Sequence, residues 1–345
     1  MCKTSSHSHG HSHGHSHAES NTDVLQRAQA NAGVSRRTFV QIAALSLASF
    51  TLGACGRRAT AATVGAVRAG ELAGFDGFRD RVKVLRDDRY FRIESDGMAG
   101  HAMMVGIRSW QQQVPLPQSY RGENAWRIPV TPKKAATPIS ARNALFRGAI
   151  AIAVDGVPIF NALNNRGADT LLAGELDDFG GHAGRADDYH YHTAPLHLQA
   201  QAGIGKPIAW ALDGYPLFGL REPDGTPVRG LDEFNGHEDT SGRYHYHATT
   251  TYPYINGGLR GEVAVVEDQV EPQPRTTAVR PWLQPLRGAM VTGFQRTGQA
   301  AYALEYSLAG RAHQVRYAFA DRRYAFEFVD ADGGVRTEVY ERRGD

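Results

Sequence analysis

A mainly β protein built around an internally duplicated β unit is what this sequence predicts, on three observations. Apolar and polar residues alternate through its later segments, 38 Gly and 16 Pro break the chain into short runs, and one stretch is spelled twice. Ile150–Phe160 (IAIAVDGVPIF) matches Ile208–Phe218 (IAWALDGYPLF) 58 residues later, and Leu176–His192 matches Leu231–His247 at an offset of 55. Nine of those last seventeen positions are identical, every histidine among them, and the connecting loop is three residues shorter in the second copy. The two copies run from about 148 to 200 and from about 206 to 261. Each holds an apolar strand, an Asp-Gly turn at Asp155-Gly156 or Asp213-Gly214, and a return strand. Such a pair predicts a pseudo-twofold axis, with the two units burying a shared face against each other.

The remaining segments follow in order. Residues 1–54 read as a signal segment: Arg36 and Arg37 precede Phe39 and a short apolar run, IAALSLASFTLGA, which resembles a twin-arginine export signal. Leu52-Gly53-Ala54-Cys55 resembles a lipobox, which makes Cys55 the lipidated first residue of the mature chain; ordinary cleavage near Ala59-Thr60-Ala61 is the alternative. Upstream, residues 7–17 hold six histidines alternating with Ser and Gly, a metal-grasping tract that leaves with the signal segment. Residues 55–70 read as a tether and 71–267 as the domain containing the repeats. Within it, 82–94 predicts two strands around an Asp-Asp turn, and 111–143, rich in Gln, Pro and Thr, predicts extended coil. A Pro-rich linker at 268–285 leads to a C-terminal β-meander at 286–345, where YALEYSL, HQVRYAF, RYAFEFV and VRTEVY alternate between turns.

Charge narrows the partners. Of 38 basic and 36 acidic residues, four and two fall in residues 1–54, which leaves 34 of each sign. A balanced mature chain gives no electrostatic reason to expect nucleic acid. The only cysteines are Cys2 and Cys55, so no disulfide braces the mature fold, and a chain 41% hydrophobic must hold itself by packing, helped by any ligand it binds.

The chemistry lies in Tyr-His-Tyr-His, read at 189–192 and again at 244–247. The pattern is strand-like, and residues two apart on a strand face the same way. His190 and His192 therefore share one face and Tyr189 and Tyr191 the other; His245 and His247 are split in the same way from Tyr244 and Tyr246. Each copy adds a histidine eight residues earlier, His182 and His237, across a Gly- and Asp-rich loop long enough to fold back. Three neutral imidazoles suit a divalent transition metal, zinc or copper foremost, and leave a coordination position open. The competing explanation is an aromatic core with hydrogen-bonded histidine tips, or a proton relay. Six imidazoles in two identical triads make that costly without a metal. Two three-histidine sites, one mixed site and a coupled dinuclear centre all fit the spacing; imidazoles converging from both copies are the expectation. Asp187, Asp188, Glu238 and Asp239 are candidate outer partners or a general base, with solvated loop acids the plainer reading. Asp155 and Asp213 read as turn residues, His197 and His313 as spectators.

These segments resemble the YHYH-domain family: the two YHYH stretches, LDEFNGHEDTSGRYHYHATTTYPYINGGLRG (231–261), DGYPLFG (213–219) and SDGMAGH (95–101). The resemblance covers roughly 82–263. It implies an exported, mostly β protein and adds His101 as a seventh candidate ligand, but implies no particular activity. Family members commonly carry Cys where this chain has Phe234 and Gly258, so the resemblance also implies a disulfide replaced here by an apolar contact. The functional expectation is an extracytoplasmic metal-binding protein, anchored by lipid in the membrane after passing the twin-arginine machinery. A metalloenzyme using the same histidines, hydrolytic or copper-oxidative, and a non-metal surface module are the alternatives.

Overall fold

The structure is a computed structural model, and it describes residues 67–342. The expectations for the six-histidine tract, Arg36, Arg37 and Cys55 lie outside the described residues. Among the described residues no helix is long and apolar enough to cross a membrane.

Strands β1 (Arg68–Ala69), β2 (Lys83–Arg86), β3 (Tyr90–Glu94) and β4 (Trp126–Pro129) form an antiparallel sheet in that order. β2 and β3 turn at Asp87, whose Oδ1 accepts the amides of Arg89 and Tyr90. The segment read as coil over 111–143 thus supplies β4, and also β5 (Lys134–Ser140). Alternation is hard to see there because three prolines and two lysines interrupt residues 126–140.

The central sheet has eight strands. From the first copy come β6 (Ala149–Ala153), β7 (Pro158–Phe160), β8 (Gly181–Ala183) and β9 (Tyr189–Tyr191). The second copy gives β10 (Ala209–Ala211), β11 (Pro216–Phe218), β12 (Gly236–Glu238) and β13 (Tyr244–His247). The single α-helix among the described residues, the short α1 (Gln199–Ala202), lies between them. The order across the sheet is β12-β13-β11-β10-β6-β7-β9-β8, the same sequence of strands read outward from the middle in either direction. At the middle, antiparallel β6 and β10 pair Ile152 with Trp210, Ala151 with Ala211 and Ala153 with Ala209. At the 58-residue offset Ile152 and Trp210 are counterparts, so the local twofold passes between them. All five residues of β6 are buried, as its unbroken apolar run requires.

This geometry corrects two expectations. The units meet edge to edge through backbone hydrogen bonds, not face to face. And the YHYH strands β9 and β13 stand near opposite ends of the sheet, with four strands between them, so imidazoles from the two copies do not converge.

β14 (Gly258–Gly261) pairs with β5, and β15 (Ala264–Val266) with β16 (Gln269–Glu271), so the linker expected at 268–285 begins as a strand. It is also pinned: Arg280 is buried against the Asp187 carboxylate at 2.5 Å, with its guanidinium 4.6 Å from the Phe326 ring centroid. The C-terminal meander has five strands, β17 (Ala289–Gly298), β18 (Ala301–Leu308), β19 (Arg311–Ala320), β20 (Arg323–Val329) and β21 (Val335–Glu341), paired in chain order. It docks on the 104–116 loop through Gly106 N–H to Val291 O (3.0 Å) and the Tyr317 hydroxyl to Pro115 O (2.6 Å). One continuous apolar core runs from Leu72 to Phe326.

Candidate metal centres

Each triad is made by a hairpin. β8 lies antiparallel to β9 with His182 directly opposite His190, and β12 lies against β13 with His237 opposite His245. The third histidine, His192 or His247, follows two residues on and so faces the same side. In the N-terminal triad the three ring centroids are each 4.9 Å apart; in the C-terminal triad they are 4.6, 4.9 and 5.2 Å apart.

The tyrosines explain why the histidines hold this side. Their hydroxyls, on the other face, are tied to carboxylates at matching positions, buried at Asp155, Asp177 and Asp213 and exposed at Asp232. Tyr189 donates to Asp177 (2.6 Å) and Tyr244 to Asp232 (2.8 Å), while Tyr191 donates to Asp155 (3.0 Å) and Tyr246 to Asp213 (2.6 Å). Asp177 and Asp232 also cap their own loops, each accepting two amides, at Phe179 and Gly181 or at Phe234 and Gly236. Asp155 and Asp213 are therefore more than turn residues, because they lock the strand's rotation. Burial raises both, Asp155 to about 6.

Backbone carbonyls set the histidine tautomers. In the C-terminal triad Nδ1–H of His237 donates to Arg229 O (3.0 Å), that of His247 to Gly219 O (3.1 Å), and that of His245 points at Arg243 O at 3.4 Å. A carbonyl only accepts, so the proton resides on Nδ1 and the Nε2 lone pair is free. Those three lone pairs converge. His237 Nε2 and His245 Nε2 are 3.0 Å apart, and the Glu222 carboxylate joins them at 3.2 Å from His237, 3.4 Å from His245 and 3.3 Å from His247. His247 Nε2 is fully buried and has no hydrogen-bond partner. Four acceptors facing one point without a donor repel one another unless a cation lies between them. Ligands about 2.0–2.1 Å from a tetrahedral ion stand about 3.3 Å apart, close to the 3.0–3.4 Å of these four separations.

The N-terminal triad is built alike. Nδ1–H of His190 donates to Asp188 O (2.9 Å) and that of His192 to Asn161 O (2.5 Å), while His182 Nε2 and His192 Nε2 are 3.1 Å apart. Burial depresses all three imidazoles, His182 to about 3, His192 to about 4 and His190 well below the ordinary range, so they are neutral at pH 7. The His190 ring stacks on Phe160 at 3.9 Å and lies 2.8 Å from where a Cβ on Gly184 would stand, so the close loop needs glycine there.

Glu222 was not read from the sequence as a ligand. It lies in the loop after β11, outside the matched segments, and no histidine neighbours it in the chain. The 58-residue offset makes Asn164 its counterpart, and the loops agree: Asn164 N–H to Ala168 O and Gly167 N–H to Asn164 O are repeated by Glu222 N–H to Thr226 O and Gly225 N–H to Glu222 O. Asn164 sends its amide to Glu175 (3.2 Å) and accepts the amides of Arg166 and Ala168, and the group around the N-terminal triad holds histidines alone.

His101, expected as a seventh ligand, joins neither group. Its Nε2 is 3.1 Å from the Tyr191 hydroxyl and its ring stacks on Phe179 at 3.9 Å, behind the strand from His190 and His192. In the second copy the Arg260 amide takes the matching place on Tyr246, at 2.7 Å. His197 lies 5.0 Å from His101, and His313 stacks on Tyr306. The loop acids are spoken for elsewhere: Asp187 by Arg280, Glu238 by Lys134, and Asp239 by Arg243. Asp188 is buried against the His190 loop and raised to about 7.

Residues 125–228 match the family model described as YHYH protein. That stretch of the chain is similar to a YHYH domain. The match holds the first Tyr-His-Tyr-His and ends before the second, so the C-terminal triad lies beyond the YHYH segment except for Glu222. No curated protein and no solved structure matches the chain. At the positions where the resemblance implied a lost disulfide, Phe234 is buried with its ring 2.7 Å from where a Gly258 Cβ would stand, an apolar contact in that place.

Proposed function

We propose that this protein binds transition metal outside the cytoplasm, holding one ion at each histidine centre, with zinc and copper the ions that suit the donors. The carrying observation is the convergence of four acceptors on one point in the C-terminal centre, with a buried Nε2 left unpartnered. Protonation is the rival way to quiet those lone pairs. Three imidazolium ions against one carboxylate would leave uncompensated buried charge, and a single proton satisfies only one pair. One divalent ion satisfies all four at once. The mirrored strand order and the matched Tyr–Asp anchors support descent of the two units from one duplicated ancestor. The Arg36-Arg37 signal and Cys55 support export and a lipid anchor, which would leave the domain tethered to a membrane.

Elemental analysis of the mature protein recovered from its exported compartment tests this reading. The expected content is about two transition-metal ions per chain, falling to about one in His190→Ala/His192→Ala and in His245→Ala/His247→Ala. A folded protein that carries no metal and takes up none when dialysed against zinc or copper would overturn it.

A further inference from the structure

The two centres are alike in their histidines and unlike at one position, and that position borders a cavity. Where the C-terminal centre has Glu222, the N-terminal one has Asn164, whose side chain is turned to Glu175 and into its own loop. The cavity that His182, His190 and His192 line holds about 270 Å³. Its wall adds Asn164, Arg166, Glu175 and Arg185, and the Glu175 carboxylate is buried and already paired with Arg166 at 2.8 Å. Arg185 lies 4.6 Å from the Trp282 ring at the same cavity. Three protein donors leave a tetrahedral ion one position short, whereas three histidines and a carboxylate fill it.

We propose that the N-terminal centre is an open site that takes a small anionic ligand, a carboxylate or oxyanion, in the cavity beside His182, His190 and His192, while Glu222 closes the C-terminal centre. Residue 164, with its counterpart 222, is the position that decides between the two. A cavity of that volume is smaller than the sites of drug-sized ligands, so the ligand has only a few heavy atoms. Three neutral imidazoles around a divalent cation leave the ion's positive charge undiminished, and Arg185 adds to it at the wall. In the C-terminal centre the Glu222 carboxylate removes one unit of that charge and occupies the position.

The inference rests on metal binding at both centres, and cobalt(II) with azide tests it separately from that premise. Each centre is isolated in the mature protein by replacing two histidines of the other, and the visible cobalt spectrum is followed as sodium azide is added. The N-terminal centre should shift its bands saturably and the C-terminal centre should keep its spectrum. Asn164→Glu should abolish the shift while one cobalt stays bound, and Glu222→Asn should create a shift in the C-terminal centre. If cobalt binds and azide shifts both centres alike, or neither, the inference fails although metal binding stands. If cobalt binds at neither centre of a folded protein, metal binding itself fails. Should Asn164→Glu not fold, the Glu222→Asn result decides alone: an unchanged azide response sinks the proposal.

Discussion

The N-terminal and C-terminal histidine centres share a hairpin, Nδ1–H bonds from the two YHYH histidines to backbone carbonyls and a pair of Tyr–Asp anchors, yet they differ in what surrounds the imidazoles. The first packs His190 between Phe160 and the Gly184 loop beside its small cavity, and burial holds its histidines neutral. The second sits at the edge of a wide cleft of about 1030 Å³, lined by Phe91, Pro132, Trp210 and Tyr215, and carries its own carboxylate. The difference teaches that the strand and its anchors set where three nitrogens meet, while the loop after β7 or β11 sets what else meets them. The two units share the frame, and the difference between Asn164 and Glu222 lies in the loop, where backbone geometry tolerates it.

The largest effect expected from breaking this comparison is the loss of a whole ion. The His190→Ala/His192→Ala protein should empty only the N-terminal centre, because four strands separate it from the other, and elemental analysis reads that directly. Next, Glu222→Gln should weaken zinc at the C-terminal centre by about 100-fold, at the upper end of what losing a supporting partner costs, since here a ligand is lost. Competition against a chromophoric chelator measures it, and the N-terminal centre should be unaffected.

The anchors come third. Tyr246→Phe removes the donor to buried Asp213 and strands the Arg260 amide, so it should destabilise the protein by about 1–3 kcal/mol in urea unfolding. Tyr191→Phe, whose hydroxyl meets the His101 ring in place of an amide, should cost less. The order of the two is the test, and a reversed order would mean that the anchors are not equivalent.

The smallest effect is a slope. In the apo protein His190 stays neutral in the fold well below pH 6.5, whereas in the unfolded chain it takes up a proton near that pH. The unfolded state therefore binds more protons as pH falls, and the contribution, complete above pH 6.5, is lost on acidification. His190→Gln should make the rise of stability with pH between 4.5 and 6 shallower, by at most about 1.4 kcal/mol per pH unit. The raised Asp188, which works in the opposite sense over this range, is present in both proteins and drops out of the difference to first order.

Much of this frame was readable in the chain. A period of two put each His pair on one face and the Tyr pair on the other, and the Asp-Gly turns marked the β6–β7 and β10–β11 hairpins. The manner of assembly was not readable, since a repeat implies an axis without saying whether faces or edges meet on it. The fully apolar run of β6 hinted at a central strand, but only the pairing of Ile152 with Trp210 locates the axis. Glu222 was hidden because a ligand supplied by a loop has no periodicity. His101 was misplaced because a shared motif gives company in sequence, and the Tyr191 hydroxyl claims that ring on the far side of the strand.

Anomalous diffraction from crystals of the mature protein grown with cobalt or zinc tests the central claim most directly. Two peaks are predicted, one at each end of the eight-stranded sheet, each about 2.0–2.1 Å from three histidine Nε2 atoms and only the C-terminal one also bound by Glu222. A single ion shared between the copies, or strong peaks elsewhere with both triads empty, would contradict the account.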